Sequence, residues 1–251
     1  MTNWQWFHRL GSPKWLLAQL DRWTPWLLAA GLLVFGAAWI LGLAFVPPDY
    51  KQGNSFRIIY VHVPVSVVAL AAYYAMAIAG AIGIVWRMKM ADMVMRSIAP
   101  VGAVFTALAL VTGAIWGKPT WGAYWVWQDP RLTSMLVLFF LYMGVIALYD
   151  AYRDRRSGNR AAALVALVGT VNIPIIYKSV DWWSSLHQPA SIKFTEPSTI
   201  AIEMLQPLLL AIVGCYLLFI ALVILQLRVQ IVLNENRSQW LKDYAAQKYP
   251  G

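Results

Sequence analysis

Two histidines, His62 and His187, carry the clearest chemistry in this 251-residue sequence. Neutral imidazole is a common ligand of transition metals. The chain has three histidines in all, and the third, His8, lies near the N-terminus. His62 precedes Pro64 by two residues, a spacing typical of a first helical turn. His187 lies in the segment WWSSLHQP. Either the fold brings the two imidazoles together as ligands, or they are unrelated histidines at an interface.

Tryptophans cluster around the same parts of the chain. Six of the 14 tryptophans flank or occupy two predicted loops: Trp116, Trp121, Trp125, Trp127, Trp182 and Trp183. Interfacial tryptophan is common in membrane proteins, but three in one short loop, together with Tyr124, exceed what anchoring needs. Trp121 and Trp125 would share a face if the loop is helical. Such a π-surface favours stacking of a large planar ligand.

Cationic side chains complete the pattern on this side of the protein: Arg57, Lys118, Arg131 and Lys193. They could pair with ligand carboxylates, arginine in bidentate fashion. Two imidazoles, indoles and cations together favour a flat, apolar, metal-centred ligand with acidic groups at one edge. Haem fits that description. A quinone would explain the aromatic residues but not the paired histidines, and a peptide would explain neither.

The elements that must position these residues are membrane helices. Sixty per cent of the residues are hydrophobic and 12% are charged, about half the usual charged share. The apolar residues form six blocks of bilayer-spanning length, which run over Trp26–Val46, Ile59–Trp86, Ile98–Trp116, Leu132–Tyr149, Ala161–Tyr177 and Leu205–Leu227. The sequence therefore predicts an all-α, polytopic membrane protein with six transmembrane helices.

The distribution of basic residues predicts the orientation. The N-terminal segment, the second and fourth connections and the C-terminal tail hold 14 of the 20 Lys and Arg residues, and the other side holds six. The positive-inside rule then places both termini in the cytoplasm. The net charge of +9 is accordingly an orientation signal and not evidence for nucleic-acid binding.

The chain is predicted to form one membrane domain over residues 1–251. Its parts are a cytoplasmic amphipathic segment (1–25), a six-helix bundle (26–227), a tryptophan-rich outer loop (117–131), an outer loop with His187 (178–204) and a cytoplasmic tail (228–251). The fifth block contains Asn172 and Pro174, which a membrane helix tolerates when neighbours satisfy the polar groups. Long loops of defined composition tend to be functional.

Several enzyme classes are excluded, because the sequence lacks their motifs. The chain has no phosphate-binding glycine loop followed by Lys and Ser/Thr, so it is not expected to hydrolyse ATP. It has no nucleophile elbow and no zinc-protease helix motif. Cys215 is the single cysteine, which excludes a paired-thiol carrier and fits an apolar packing role. A binding protein, not an enzyme, is expected.

The segment WGAYWVWQDPRLTS resembles the tryptophan-rich WWD motif of the haem-handling membrane protein family. Three stretches narrow the resemblance to haem exporter protein C, CcmC, of bacterial cytochrome c maturation: RIIYVHVPVS, GKPTWGAYWVWQDPRLTSMLVLFFLY and VNIPIIYKSVDWWSSLHQP. The resemblance covers most of the chain from about Pro47 to Pro189. In the family pattern, Trp-Val-Trp runs directly into the acidic residue, whereas here Gln128 stands between Trp127 and Asp129.

This resemblance implies a role for each matching position. The axial ligands of a haem b at the outer leaflet would be His62 and His187. The lining of the site would be Trp116, Trp121, Trp125 and Trp127, with Asp129 as the acidic end of the motif. Arg57 and Arg131 would be placed for the propionates or for the partner.

The resemblance also implies partners and a location. The chain would be a subunit of an ABC-type complex with the ATP-binding subunit CcmA, the membrane subunit CcmB and the small protein CcmD. It would transfer haem to the periplasmic chaperone CcmE from a site that faces the periplasm, in the bacterial inner membrane. Two alternatives remain open: a structural subunit whose aromatic loop docks a protein partner, and a haem or quinone oxidoreductase.

Overall fold

The described residues contain six apolar helices long enough to span a membrane, as the sequence predicted. The computed structural model describes residue 9 and the ranges 11–188 and 198–248, and these contain no β-strand. The spans are Pro13–Phe45, Asn54–Trp86, Lys89–Trp121, Pro130–Ala151, Arg155–Trp182 and Ile202–Glu235. The fold class is therefore confirmed.

The spans are built from the following elements. Helix α1 (Pro13–Ile40) continues as a π-helical turn (Leu41–Phe45), and a 3₁₀ turn (Asn54–Ile58) leads into α2 (Ile59–Trp86). The other helices are α3 (Lys89–Trp121), α4 (Pro130–Ala151), α5 (Arg155–Gly169), α6 (Asn172–Trp182), α7 (Ile202–Glu235) and α8 (Gln239–Lys248). Helix α2 is central, because it packs along α3 and also contacts α5 and α7.

The bundle has two chemically different ends. The end that carries His62 and His187 contains the connections 46–58 and 122–129 and the described residues 183–188 and 198–201 between α6 and α7, and we call it the histidine end. The opposite end contains the connections 87–88 and 152–154 together with the start of α1 and the whole of α8, and we call it the basic end. At the basic end Asp21 of α1 pairs with Arg228 at 2.5 Å and also contacts Tyr244 and Lys248 of the C-terminal segment.

The first span starts earlier in the chain than the apolar block predicted. Helix α1 passes without a break through Trp26, although Pro25 lies inside it. A Ser12 side chain caps its first turn, and a proline in the first turn needs no hydrogen-bond partner for its nitrogen. Residues 13–25 thus extend the first span. The rest of the predicted amphipathic segment lies largely outside the described residues, as do residues 189–197 of the predicted outer loop with His187.

The fifth span is two helices, α5 and α6, joined at Thr170 and Val171. Pro174 lacks an N–H group, so an uninterrupted helix would lose a hydrogen bond there. Tighter bonds replace the helical ones at the joint: Val171 N–H donates to the Val168 carbonyl at 3.3 Å and Ile173 N–H to the Thr170 carbonyl at 3.1 Å. Asn172 Nδ2 donates to the Ser134 carbonyl of α4 at 2.9 Å. This bond satisfies the polar side chain within the membrane, as the sequence required.

Helices α1 and α7 approach closely through small residues. A Cβ atom on Gly214 would lie 2.6 Å from the backbone nitrogen of Phe35, and one on Gly31 would lie 3.0 Å from that of Leu218. Because lipid tails are as apolar as the helices, close packing of this kind is a main source of helix association in membranes. Gly36, also in α1, faces open space.

These contacts predict a difference between two alanine substitutions. Gly214→Ala places a methyl group against backbone and must push α1 and α7 apart, at about 1–3 kcal/mol of stability. Gly36→Ala meets nothing within 4 Å, and the gain in helix propensity makes it neutral or slightly stabilising. Thermal unfolding of the two variants in the same detergent measures the difference. Equal unfolding temperatures would contradict the packing described here.

Candidate functional site

His62 lies in the first turn of α2 and is held by the neighbouring helix α3. Its Nδ1 atom lies 3.0 Å from Oγ1 of Thr112. The Thr112 hydroxyl has one proton, which it donates to the Leu108 carbonyl at 2.6 Å. Towards His62 this hydroxyl can therefore only accept, so the imidazole proton is on Nδ1. The network thus assigns the tautomer and leaves the Nε2 lone pair of His62 free to bind a metal.

Two further residues of α3 shape the pocket around His62. Gly113 removes a side chain where the ring lies, since a Cβ atom there would be 3.0 Å from Cε1 of His62. The Trp116 ring meets the His62 ring edge-on, with centroids 5.7 Å apart. Trp116 is in turn fixed by a hydrogen bond from Nε1 to Oε1 of Gln52 at 2.8 Å. The imidazole is therefore held on one side by three residues of a single helix.

His187 belongs to the segment that follows α6, and Asp129 organises that segment. Oδ2 of Asp129 accepts hydrogen bonds from Ser185 Oγ and from the Leu186 N–H, both at 2.8 Å. Oδ1 accepts from the N–H groups of Arg131 and Leu132, both at 3.0 Å, and so caps α4. One carboxylate thus joins the start of α4 to the loop that carries His187.

The same carboxylate faces the His187 ring. Nδ1 of His187 lies 3.4 Å from Oδ1 of Asp129, longer than an ordinary N–H···O hydrogen bond. A carboxylate next to one ring nitrogen is the usual arrangement of a metal-binding histidine, because it orients the ring and favours a proton on that nitrogen. Unlike Nδ1 of His62, Nδ1 of His187 has no hydrogen-bond partner among the described residues.

Charge and burial keep the His187 ring neutral. Burial and the nearby charge of Arg131 lower the pKa of His187 to about 4, against the opposing effect of Asp129. Burial acts to raise the pKa of Asp129, but the hydrogen bonds from Leu132, Ser185 and Leu186 outweigh it, and this pKa lies below its usual range. At neutral pH the site therefore presents a carboxylate and a neutral imidazole, which is the metal-binding form of histidine.

The two histidines share one electrostatic environment. The positive charge of Arg131 acts on His62. Arg131 also acts on His187, and its guanidinium makes no hydrogen bond to another described residue. The fold thus brings the side chains of His62, Arg131 and His187 near one another, although they are at least 56 residues apart in the sequence.

The tryptophans divide between the two histidines and the loop surface. Trp121 packs on His187, with ring centroids 4.7 Å apart. Trp125 packs on Trp127 at 5.5 Å, and the Trp127 side chain is 68% exposed. Helix α3 ends at Trp121, because Gly122 adopts a left-handed conformation with φ of 80°. The helical face considered for Trp121 and Trp125 therefore does not form.

Arg57 has a structural task in this structure. Its guanidinium donates to the carbonyl oxygens of Gly42 and Val46 at 3.0 Å and to Asn54 Oδ1 at 3.2 Å. These bonds satisfy carbonyl groups at the end of the first span, which have no helical partner. The predicted contact of Arg57 with ligand propionates stays a prediction.

Sequence reasoning missed Thr112, Gly113 and Ser185. Threonine and glycine are ordinary in membrane helices, and the spacing of Thr112 from Trp116 carries no signal of contact with His62. Ser185 precedes His187 by two residues, but only the position of Asp129 gives its hydroxyl a role.

The tautomer of His62 is open to direct measurement. In the metal-free protein, ¹⁵N NMR of histidine is expected to show His62 protonated at Nδ1. Thr112→Ser keeps the acceptor and should keep this tautomer. Thr112→Val removes the acceptor and should raise the Nε2-protonated population. A Thr112→Val spectrum identical to that of Thr112→Ser would show that Thr112 does not set the tautomer.

Comparisons with known proteins agree on one family. The sequence model of the family described as CcmC, heme exporter protein C, matches residues 6–242. Proteins called heme exporter protein C from Escherichia coli (strain K12) and Haemophilus influenzae are 47% and 45% identical, over 96% of this chain and 96% and 98% of their own lengths. The one from Bradyrhizobium diazoefficiens is 42% identical over 91% of this chain and 86% of its own.

The match spans all six apolar spans and both His62 and His187, and it agrees with the resemblance that the tryptophan-rich segment carried. The chain belongs to the heme exporter protein C (CcmC) family.

Proposed function

We propose that this chain binds haem b at the histidine end and transfers it to a partner protein during maturation of c-type cytochromes. The observation that carries the proposal is that Nδ1 of both His62 and His187 lies next to an oxygen atom of the protein. Nδ1 of His62 is hydrogen-bonded to Thr112 Oγ1 at 3.0 Å, and Nδ1 of His187 lies 3.4 Å from a carboxylate oxygen of Asp129, too far for an ordinary hydrogen bond. We propose Nε2 as the atom of each ring that binds iron, because Nδ1 faces the protein in both.

The remaining side chains fit the other parts of a haem. Trp116 and Trp121, each in contact with a histidine ring, offer indole surfaces for the porphyrin. Arg131 supplies a positive charge for a propionate, since its charge acts at both histidines. Nε1 of Trp125 is buried without an acceptor among the described residues, and it suits a propionate oxygen. The predicted lining by Trp127, Asp129 and Arg57 belongs to the same proposal, with Asp129 acting through His187.

The two histidines would do different work. His62 lies on a membrane helix and is fixed by α3, so its position is set by the bundle. His187 lies on a loop whose attachment to the bundle includes the Asp129 hydrogen bonds to Ser185 and Leu186. Movement of that loop would remove one ligand and expose one edge of the porphyrin. Transfer of this kind forms no covalent bond to this chain, so we propose a binding and transfer role without catalysis.

Partners would supply both the energy and the destination. We place this chain in an ABC-type complex with CcmA, CcmB and CcmD, in which CcmA hydrolyses ATP, and we name the chaperone CcmE as the acceptor of haem. The excess of basic residues at the basic end supports a cytoplasmic location for both termini. The histidine end would then face the periplasm from the bacterial inner membrane.

The exposed aromatic residues favour a second, compatible role in docking. Trp127 and Tyr124 are 68% and 60% exposed, and exposed aromatic side chains are enriched at protein interfaces. If docking were the only function of the loop, His62 and His187 would tolerate replacement in the folded protein.

Absorption spectra of haem-supplemented protein test the proposal. The wild type should show a low-spin spectrum with two histidine ligands. His62→Ala and His187→Ala should each become high-spin or retain roughly tenfold less haem. His8→Ala is the matched control, since it removes the third histidine of the chain, and it should resemble the wild type.

A monodisperse elution profile for each variant establishes that the bundle is intact. Wild-type protein that takes up no haem, or unchanged spectra in both ligand variants, would sink the haem-binding proposal and leave partner docking as the better account.

A further inference from the structure

A cavity of about 480 Å³ lies at the basic end, where α2 ends and where α3 and α5 begin. Four cationic side chains line it, namely Arg87, Lys89, Arg156 and Arg160, together with one carboxylate, Asp92. The cavity is at the opposite end of the bundle from His62 and His187, so it is separate from the proposed haem site.

Three of these cations have no anionic partner in the described part of the chain. Lys89 is neutralised, since its Nζ lies 2.5 Å from Oε1 of Glu235. No carboxylate of a described residue is within ion-pair distance of the side chains of Arg87, Arg156 or Arg160. Like charges that converge on one cavity repel one another unless an anion joins them.

Arg96, also at the basic end, is a cation whose side chain is bound within the protein. Its guanidinium stacks on the Tyr149 ring at 4.4 Å and donates from Nε to Asn159 Oδ1 at 2.7 Å. Both the charge and the donors of Arg96 are thus used within the protein. Arg87, Arg156 and Arg160 differ from it, because they are exposed residues that line the cavity.

The backbone at Arg87 gives a second, independent observation. Arg87 ends α2 with φ of 54° and ψ of 35°, and it is the single non-glycine residue with positive φ in the described ranges. Glycine adopts this left-handed conformation at lower cost than any residue with a Cβ atom. The position therefore holds a charged side chain at the expense of backbone free energy, which suits a binding residue.

The surface of α5 shows what kind of anion fits. Residues four apart share a helical face, and Arg156, Arg160, Leu164 and Val168 follow that spacing. Leu164 and Val168 are 50% and 73% exposed. An apolar stripe thus leads from the cationic cavity along the membrane-spanning part of α5. A head group in the cavity and an acyl chain along this stripe would both be matched.

We propose that this cavity binds the phosphodiester head group of an anionic phospholipid, with an acyl chain along Leu164 and Val168. Basic pockets between membrane helices on the cytoplasmic side are known to take such head groups. Arg87, Arg156 and Arg160 hold the phosphate, and Asp92, on the cavity wall, accepts hydrogen bonds from head-group hydroxyls. The bound lipid joins the end of α2 to the start of α5. The connection that precedes α5 at this end is short, residues 152–154.

Native mass spectrometry of the purified full chain tests this proposal with phosphatidylglycerol, phosphatidylcholine and glycerol phosphate as ligands. The wild type should retain phosphatidylglycerol more tightly than either of the others. A triple variant with Arg87→Gln, Arg156→Gln and Arg160→Gln should bind it on the order of a hundredfold more weakly, about fivefold for each cation.

The matched control removes the same charge from the same end, outside the cavity, through Arg153→Gln, Arg237→Gln and Lys242→Gln. It should bind phosphatidylglycerol like the wild type. Because the triple variant could fail to fold, Arg87→Gly provides a second test. It relieves the backbone conformation and removes one cation, so it should be at least as stable as the wild type and bind about fivefold more weakly.

Several results would overturn the proposal. Equal binding of phosphatidylglycerol by the cavity variants and the control would show a general charge effect. If the wild type bound phosphatidylcholine as tightly as phosphatidylglycerol, the negative charge of the head group would have no role in binding. Glycerol phosphate binding as tightly as the lipid would make the cavity a site for free phosphate. Arginine-dependent binding of an acidic peptide without any lipid binding would make it a protein interface.

Discussion

The contact of α2 with α3 at the histidine end is the interaction on which the rest of the site depends. An imidazole near the edge of a membrane is stable only when its polar atoms have partners, because the bilayer core offers none. The Thr112 hydroxyl meets this need for Nδ1 of His62. Gly113 gives the ring its room, and Trp116 closes one side. Since all three residues lie on α3, the position of the His62 ring is set by the packing of α2 against α3.

Asp129 positions His187, and it does so by holding the loop that carries this histidine. Its two oxygens receive four hydrogen bonds, two from the first turn of α4 and two from Ser185 and Leu186. This carboxylate is therefore one point at which the loop is attached to the bundle. In the proposed function, one ligand on a helix and one on a loop would suit a protein that must hold haem and then release it. In this account, the acidic end of the tryptophan-rich motif is a positioning residue.

The sequence was sufficient to predict the six spans, because twenty-residue apolar blocks have one common solution in a bilayer. It also singled out His62 and His187, since histidine is rare in this chain. The need of Asn172 for a partner was predictable, whereas the identity of that partner, the Ser134 carbonyl, depends on how α4 and α6 pack. Orientation in the membrane and the binding of haem remain predictions.

Other features depended on contacts that no local pattern records. Arg57 has the residue type of a propionate partner, but the carbonyl groups at the end of the first span lie within its reach. Trp121 and Trp125 have helical spacing, but Gly122 ends the helix between them. The extra residue Gln128 is absorbed in a turn in which the Asp129 N–H donates to the Val126 carbonyl at 3.1 Å. Asp129 can then cap α4 despite the departure from the family pattern.

The central claim is that Nε2 of both His62 and His187 binds the haem iron. Pulsed electron paramagnetic resonance of the ferric, haem-loaded protein, with histidine labelled with ¹⁵N at Nε2, tests it most directly. The account predicts strong couplings to two labelled nitrogens, one of which disappears in His62→Ala and one in His187→Ala. Coupling to fewer than two labelled nitrogens in the wild type, or strong coupling only when the label is at Nδ1, would contradict it.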